Sequence, residues 1–156
     1  MEHFFELDSL TFSAMLRQGA LVLGKEKGVI NDLNVFPIPD GDTGDNMYMT
    51  VKAGCASLEG HLGTLSEISA AASSDMLLGA RGNSGVILSR IFAGMAKGLQ
   101  DVVAADTKAF AKAMSAAVAE AYKSVPVPVE GTIITVLREG AAGADDTKDQ
   151  IGRAHV

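Results

Sequence analysis

The sequence predicts an all-α domain. Apolar residues recur three or four apart along most of the chain. No segment alternates convincingly with a period of two, and short Gly- or Pro-rich turns divide the periodic stretches. Six helices are expected, near residues 9–27, 44–59, 65–78, 84–100, 107–124 and 131–142.

In the first helix, Phe12, Met15, Leu16, Gly19 and Leu23 line one face, and Ser9 is a suitable N-cap. The second follows the stiff Pro37/Pro39 turn. The third begins after Gly60–Gly63 with Thr64 as its cap, and Leu65, Ile68, Ala72 and Met76 form its stripe. The fourth follows the Gly79–Gly85 loop and carries Ile87, Ile91, Met95 and Leu99 at steps of four. The fifth is alanine-rich, which favours helix, and places Phe110, Met114, Val118 and Tyr122 in a row behind Asp106. The sixth opens at Gly131-Thr132-Ile133, after Val125-Pro126-Val127-Pro128-Val129.

Length and composition fit one domain with a real core: 156 residues, 47% of them hydrophobic. The net charge of −6 argues against a generic binder of nucleic acid or anionic membrane. It leaves ATP open, because bound cations can supply the positive charge. Cys55 is the single cysteine, so neither a disulfide framework nor a zinc cluster can form within one chain. No basic, apolar leader opens the chain, and no apolar run approaches a membrane span. A cytoplasmic location is expected.

The final Ile151-Gly152-Arg153-Ala154-His155-Val156 is what ATC GGA AGA GCA CAC GTC encodes, a sequencing-adapter read-through. Residues 1–150 are therefore expected to form the domain and 151–156 a non-native tail. Arg153 and His155 carry no functional weight. His3 and His61 lie in no nucleophile–base arrangement and are expected at the surface. Cys55, among Ala and Gly, is expected to pack.

Two loops carry the chemistry. Asn34-Val35-Phe36-Pro37-Ile38-Pro39-Asp40-Gly41-Asp42 puts two carboxylates on a turn that apolar residues can anchor to the core. Thr43-Gly44-Asp45-Asn46 then starts a helix, whose free amides suit an anion. An EF-hand does not fit: with Asp40 as position 1, Asp45 stands where Gly belongs and Val51 where the bidentate Glu belongs. A partial oxygen site completed by phosphates fits better, as is usual for Mg2+. The second loop, Gly79-Ala80-Arg81-Gly82-Asn83-Ser84-Gly85, is neither a P-loop nor a dinucleotide fingerprint. Arg81 can offset phosphate charge, although a surface position is commoner. Alone, each loop also reads as an ordinary turn or helix cap. Together they point to a nucleotide site.

Asn34 to Gly44, with Asn46-Met47, closely resembles the nucleotide-binding domain of the dihydroxyacetone-kinase superfamily. Asn34-Val35-Phe36-Pro37 and Ala80-Arg81-Gly82-Asn83-Ser84-Gly85-Val86-Ile87-Leu88-Ser89 resemble in particular the N-terminal domain of bacterial fatty acid kinases. Gly19-Ala20 and Ile30-Asn31 also fit, and the likeness covers about residues 8–142. It implies an antiparallel helical barrel, here truncated at its C-terminal end, with ATP or ADP at one end and two Mg2+ ions. By position, it assigns Asp40 and Asp42 to metal, with Asn34 at a third ligand position that is Asp in dihydroxyacetone kinases. It assigns Thr43, Gly44, Asp45 and Asn46 to the phosphate side, Asn83 and Ser84 to the second nucleotide loop, and Thr132 and Ile133 to the nucleotide's flank. No catalytic base is assigned. Asp45 departs from the family pattern, where a small neutral residue, commonly Thr, stands; beside phosphates its charge repels unless it faces metal or solvent.

The resemblance implies phosphoryl transfer to a fatty acid held by a fatty-acid-binding partner protein. The alternatives are the ATP subunit of a dihydroxyacetone kinase, with a dihydroxyacetone-binding subunit as partner, and a nucleotide-binding domain without turnover. A homodimer through C-terminal regions outside this chain is compatible with each.

Overall fold

The computed structural model describes residues 6–147. Residues 151–156 and His3 lie outside that range. Six helices occupy the described chain: α1 Ser9–Asp32, α2 Thr43–Ala56, α3 Leu65–Leu78, α4 Gly82–Gly98, α5 Thr107–Lys123 and α6 Ile133–Thr147. No strand occurs among the described residues; a single backbone bridge joins Leu7 to Ala105.

Each helix packs on the next, and α2 also touches α4. The connections alternate between two ends of the bundle. At one end, Leu65 N–H and Ser66 N–H donate to Val103 and Val102 carbonyls, both at 2.9 Å, joining the α2–α3 and α4–α5 connections. At the other end, the α1–α2 and α5–α6 connections and the first turn of α4 surround one cavity. That alternation is an up-and-down arrangement. Contacts between α1 and α6, which would close a barrel, are absent among the described residues, so the bundle is open along that seam.

The core runs through Phe12, Leu16, Leu65, Ile68, Met76, Ile91 and Leu99. The α3 stripe is buried as expected. In α1, Met15 and Gly19 face outward, and Ala20 takes the inner position after Phe12 and Leu16. In α5 the expected row of large residues is only half-buried; Ala111, Ala113, Ala117 and Ala121 form the inner face. Those alanines let α4 approach very closely. A Cβ built on Gly94 would lie 2.6 Å from Ala117 Cα, and one on Gly98 2.6 Å from Ala113 Cα.

Caps fix the helix starts. Thr64 and Glu67 form a reciprocal capping box, and Asp106 accepts from Ala109 N–H at 2.7 Å. For α1 the cap is Asp8, not Ser9: its carboxylate accepts from Thr11 N–H at 2.7 Å. Helix α1 also continues past Lys27 to Asp32, because contacts with α2 outweigh the weak stop signal of Gly28. Helix α6 starts two residues later than expected and runs longer.

Candidate functional site

A cavity of about 660 Å³ opens where these two connections meet the first turn of α4. Of the residues singled out in the sequence, it brings together Asn34, Asp40, Asp42, Thr43, Asn46, Asn83, Ser84, Thr132 and Ile133. Gly44 and Asp45 do not line it. The walls differ in character. Oxygen-bearing side chains come from the α1–α2 connection and the first turns of α2 and α4. Phe36, Pro37, Ile38, Met47, Ile87, Val125, Val127, Val129 and Ile134 supply an apolar surround.

Asp40 and Asp42 flank Gly41, whose φ of 67° lies in the left-handed region that favours glycine. Both carboxylates are exposed. The Asn34 side chain ties the loop together: its Nδ2 donates to Ile38 carbonyl at 2.8 Å, and its Oδ1 accepts from Thr43 Oγ1. Two carboxylates and an amide oxygen facing one cavity are hard donors of the kind Mg2+ takes. Mg2+ commonly uses one or two carboxylates and leaves the rest of its shell to water and phosphate, so this donor set fits it. No cluster of three or more His, Cys, Asp or Glu side chains capable of holding a metal occurs among the described residues.

The two loops meet through glycine. A Cβ on Gly82, where φ is 58°, would collide with the Asn46 side chain; one on Gly85 would collide with Thr50 Oγ1. That hydroxyl donates to Asn46 carbonyl at 2.7 Å and accepts from Arg81 N–H at 3.2 Å. The first turns of α2 and α4 are thereby joined. Gly82, Asn83 and Ser84 form the first turn of α4, so their amides lack intrahelical acceptors, and no side chain at Arg81 caps them. The Arg81 side chain is exposed and stands outside the cavity lining.

The first turn of α2 differs. Asn31 Oδ1 accepts from Gly44 N–H at 2.7 Å and Asp45 N–H at 3.2 Å. Those amides face α1 rather than the cavity. Gly44 provides close packing of helices: a Cβ there would overlap the Lys27 backbone. Asp45 also turns toward α1. Its Oδ1 meets Lys27 Nζ at 2.6 Å, and its Oδ2 accepts from Asn31 Nδ2 at 2.7 Å. The Lys27 bond, then the Asn31 bond, hold its pKa below the ordinary 3.8. Lys27 is correspondingly raised above 10.5. Its ammonium also lies 5.5 Å from the Tyr48 ring centroid. Lys27 and Asn31 thus organise the loop, although neither carries a local motif.

On the third side, Thr132 Oγ1 donates to Val129 carbonyl at 2.8 Å. Glu130 accepts from Arg138 Nη1 at 2.7 Å and Thr135 Oγ1 at 2.8 Å, bracing the turn before α6. The Cys55 thiol is half-buried, and burial pushes its pKa above 9.0. His61 is exposed. No described helix is long and apolar enough to cross a membrane.

The family model described as the DAK2 domain matches residues 37–155. Among curated proteins, the chain is similar to uncharacterized proteins of three staphylococci. The match to one from Staphylococcus saprophyticus is 43% identical over 140 residues, covering 89% of this chain and 25% of that protein. One from Staphylococcus epidermidis is 41% identical over 146 residues, covering 93% and 26%. One from Staphylococcus aureus strain USA300 is 41% identical over 140 residues, covering 89% and 26%. The chain spans about a quarter of the length of these relatives.

Proposed function

The chain belongs to the DAK2 domain family, and from that premise we propose that it is the ATP-binding domain of a Mg2+-dependent phosphotransferase. The observation that carries this is convergence. The Asp40/Asp42 turn and the first turn of α4 lie about 40 residues apart in sequence, yet line one cavity of about 660 Å³. The space suits a small ligand, with polar groups at one side and apolar wall at the other.

Asp40, Asp42 and Asn34 are the residues that would hold Mg2+. When bound, the ion neutralises and orients phosphate oxygens. The uncapped amides of Gly82, Asn83 and Ser84 favour an anion at the α4 start. Thr43 and Asn46 offer hydrogen bonds on the facing side. The apolar side chains of Ile87, Val127, Val129 and Ile133 line one flank. Phosphoryl transfer depends mainly on positioning and charge stabilisation, and these residues supply both.

For the acceptor, we favour a fatty acid presented by a binding partner, on the Asn34–Asp42 wording and the second-loop sequence. The acid's carboxylate oxygen would bond to the γ-phosphorus of ATP as the bond to the β–γ bridging oxygen breaks, yielding an acyl phosphate and ADP. The DAK2 match itself favours the second reading, a dihydroxyacetone kinase subunit. Assays of the full-length protein with each acceptor system separate them. A domain without turnover rests on Asp45 and on the C-terminal truncation; the first support weakens, because Asp45 pairs with Lys27 outside the cavity.

Calorimetric titration of ATP with and without Mg2+ tests the site. Mg2+-dependent binding that Asp42→Ala abolishes is expected. Equal binding by Asp42→Ala and the parent chain would reject the metal assignment.

A further inference from the structure

We propose that Asn31 is a positioning residue: it caps α2 from the neighbouring helix and so leaves the Asp42 carboxylate free for the cavity. This rests on the metal-and-nucleotide reading of that cavity.

Three helices have Asp at the N-cap position: α1 with Asp8, α2 with Asp42 and α5 with Asp106. An Asp there normally folds back onto an amide of the first turn. Asp8 and Asp106 do so, each accepting from the N–H three residues on at 2.7 Å. Asp42 makes no such bond, and its backbone, at φ −120° and ψ 2°, departs from the extended form of Asp8 and Asp106, whose ψ values are 176° and 178°. The equivalent amide, Asp45 N–H, instead donates to Asn31 Oδ1 at 3.2 Å, and Gly44 N–H donates to the same oxygen at 2.7 Å. The one aspartate of the three released from its helix is the one that lines the cavity.

Asn31 is held for this task. Its Nδ2 donates to Asp45 Oδ2 at 2.7 Å, and Asp45 Oδ1 meets Lys27 Nζ at 2.6 Å. This fixes the amide orientation: the oxygen faces the α2 amides and the nitrogen faces the carboxylate. Asp45 therefore serves α1–α2 geometry. Its carboxylate, out of place beside phosphate, orients Asn31 by accepting from its amide nitrogen.

In Asn31→Ala the first-turn amides fall vacant, and Asp42 is drawn back onto them by rotating its ψ from 2° toward the extended values of Asp8 and Asp106. Mg2+ affinity, titrated by calorimetry at saturating ADP, should fall about fivefold. That is the equivalent of one cap of about 1 kcal/mol. ADP binding without Mg2+ should change less than twofold. A residue with only a structural role would weaken both or neither. The double exchange Asn31→Asp with Asp45→Asn keeps each donor facing an acceptor. The carboxylate moved to α1 accepts from the two backbone amides and from the side-chain amide moved to α2. The oxygen of that amide accepts from Lys27. The exchange should restore parent Mg2+ affinity, whereas Asn31→Asp alone sets two carboxylates together and should not.

Unchanged Mg2+ affinity in folded Asn31→Ala would overturn the inference while leaving the site itself standing. If Asn31→Ala does not fold, the exchanged pair decides: parent-like Mg2+ affinity supports the inference, and a folded pair with weakened affinity overturns it. Absence of Mg2+-dependent binding in the parent chain would reject the reading of the site and this inference with it.

Discussion

Replacing Gly44 with alanine tests whether the site is built on helix packing. The added Cβ would lie 2.9 Å from Lys27 Cα and nearer still to the Lys27 carbonyl oxygen. These are backbone atoms of α1, so no side chain can swing away. Relief requires α1 and α2 to separate by roughly 1 Å, and overpacking of this kind costs about 1–3 kcal/mol. The same movement stretches the Asn31 bonds to Gly44 and Asp45, equivalent to a lost cap of about 1 kcal/mol. Alanine's helix preference returns at most about 1 kcal/mol. The net loss is about 1–3 kcal/mol, or roughly 2–12 °C in Tm for a chain of this size. Gly19→Ala is the internal control, because nothing lies within 4 Å of its built Cβ. It should gain up to about 1 kcal/mol. Thermal and urea unfolding followed by circular dichroism reads both. A Gly44→Ala chain as stable as the parent would refute the packing argument.

Further predictions concern the clamp and the core. Asp45 has a depressed pKa, so its contribution to stability is full above about pH 3.8 and is lost as pH falls through the lower folded value. Lys27 is raised, so its contribution is full below about pH 10.5 and disappears as pH rises through the higher folded value. The pair therefore remains intact across neutral pH. Urea unfolding between pH 2 and 6 should show a shallower acid decline for Asp45→Asn than for the parent; identical slopes would contradict the pairing. In the core, Gly94→Ala should destabilise by about 1–3 kcal/mol, since its Cβ meets the Ala116 and Ala117 backbone. A raised midpoint in urea would show that α4 and α5 are packed more loosely.

Much of the fold is written locally. The α3 stripe and the Thr64 and Asp106 caps follow from spacing and backbone chemistry and stand where expected, whereas the Gly79–Gly85 break is shorter than expected because α4 already begins at Gly82. The convergence of the two glycine-rich loops is also legible, because an up-and-down bundle puts alternate connections at one end. Errors arise where neighbours decide. Met15 fits the α1 stripe by spacing but faces outward, as helix rotation depends on its partner. The α5 inner face falls to alanines because Gly94 and Gly98 bring α4 too close for larger residues. Asn31 and Lys27 lie 14 and 18 residues from Asp45, beyond any local pattern. Their sequence clues are slight: Ile30-Asn31 fits the family resemblance, and Lys27 and Asn31 form an i, i+4 polar pair on α1 beside an unusual acidic residue in the loop.

Asp45 shows how a departure from a family pattern can mislead when assigned by position alone. Matching by position sets it beside phosphate, where its charge is unfavourable. The structure turns the side chain toward α1 and Lys27, where the charge is matched. The two glycine-containing helix starts then divide the work. The α2 start closes its Gly44 and Asp45 amides against α1 and leaves its aspartate in the cavity, offering oxygen. The α4 start lacks a side-chain cap and offers N–H. Carboxylates and uncapped amides thus line one cavity, beside a junction fixed by Gly82 and Gly85 against Asn46 and Thr50. The apolar surround is shared by the α1–α2 connection, α2, α4, the α5–α6 connection and the start of α6, and α6 packs on α5 alone among the described helices. The polar geometry is consequently set by α1, α2 and α4, and it does not depend on the contacts that hold α6.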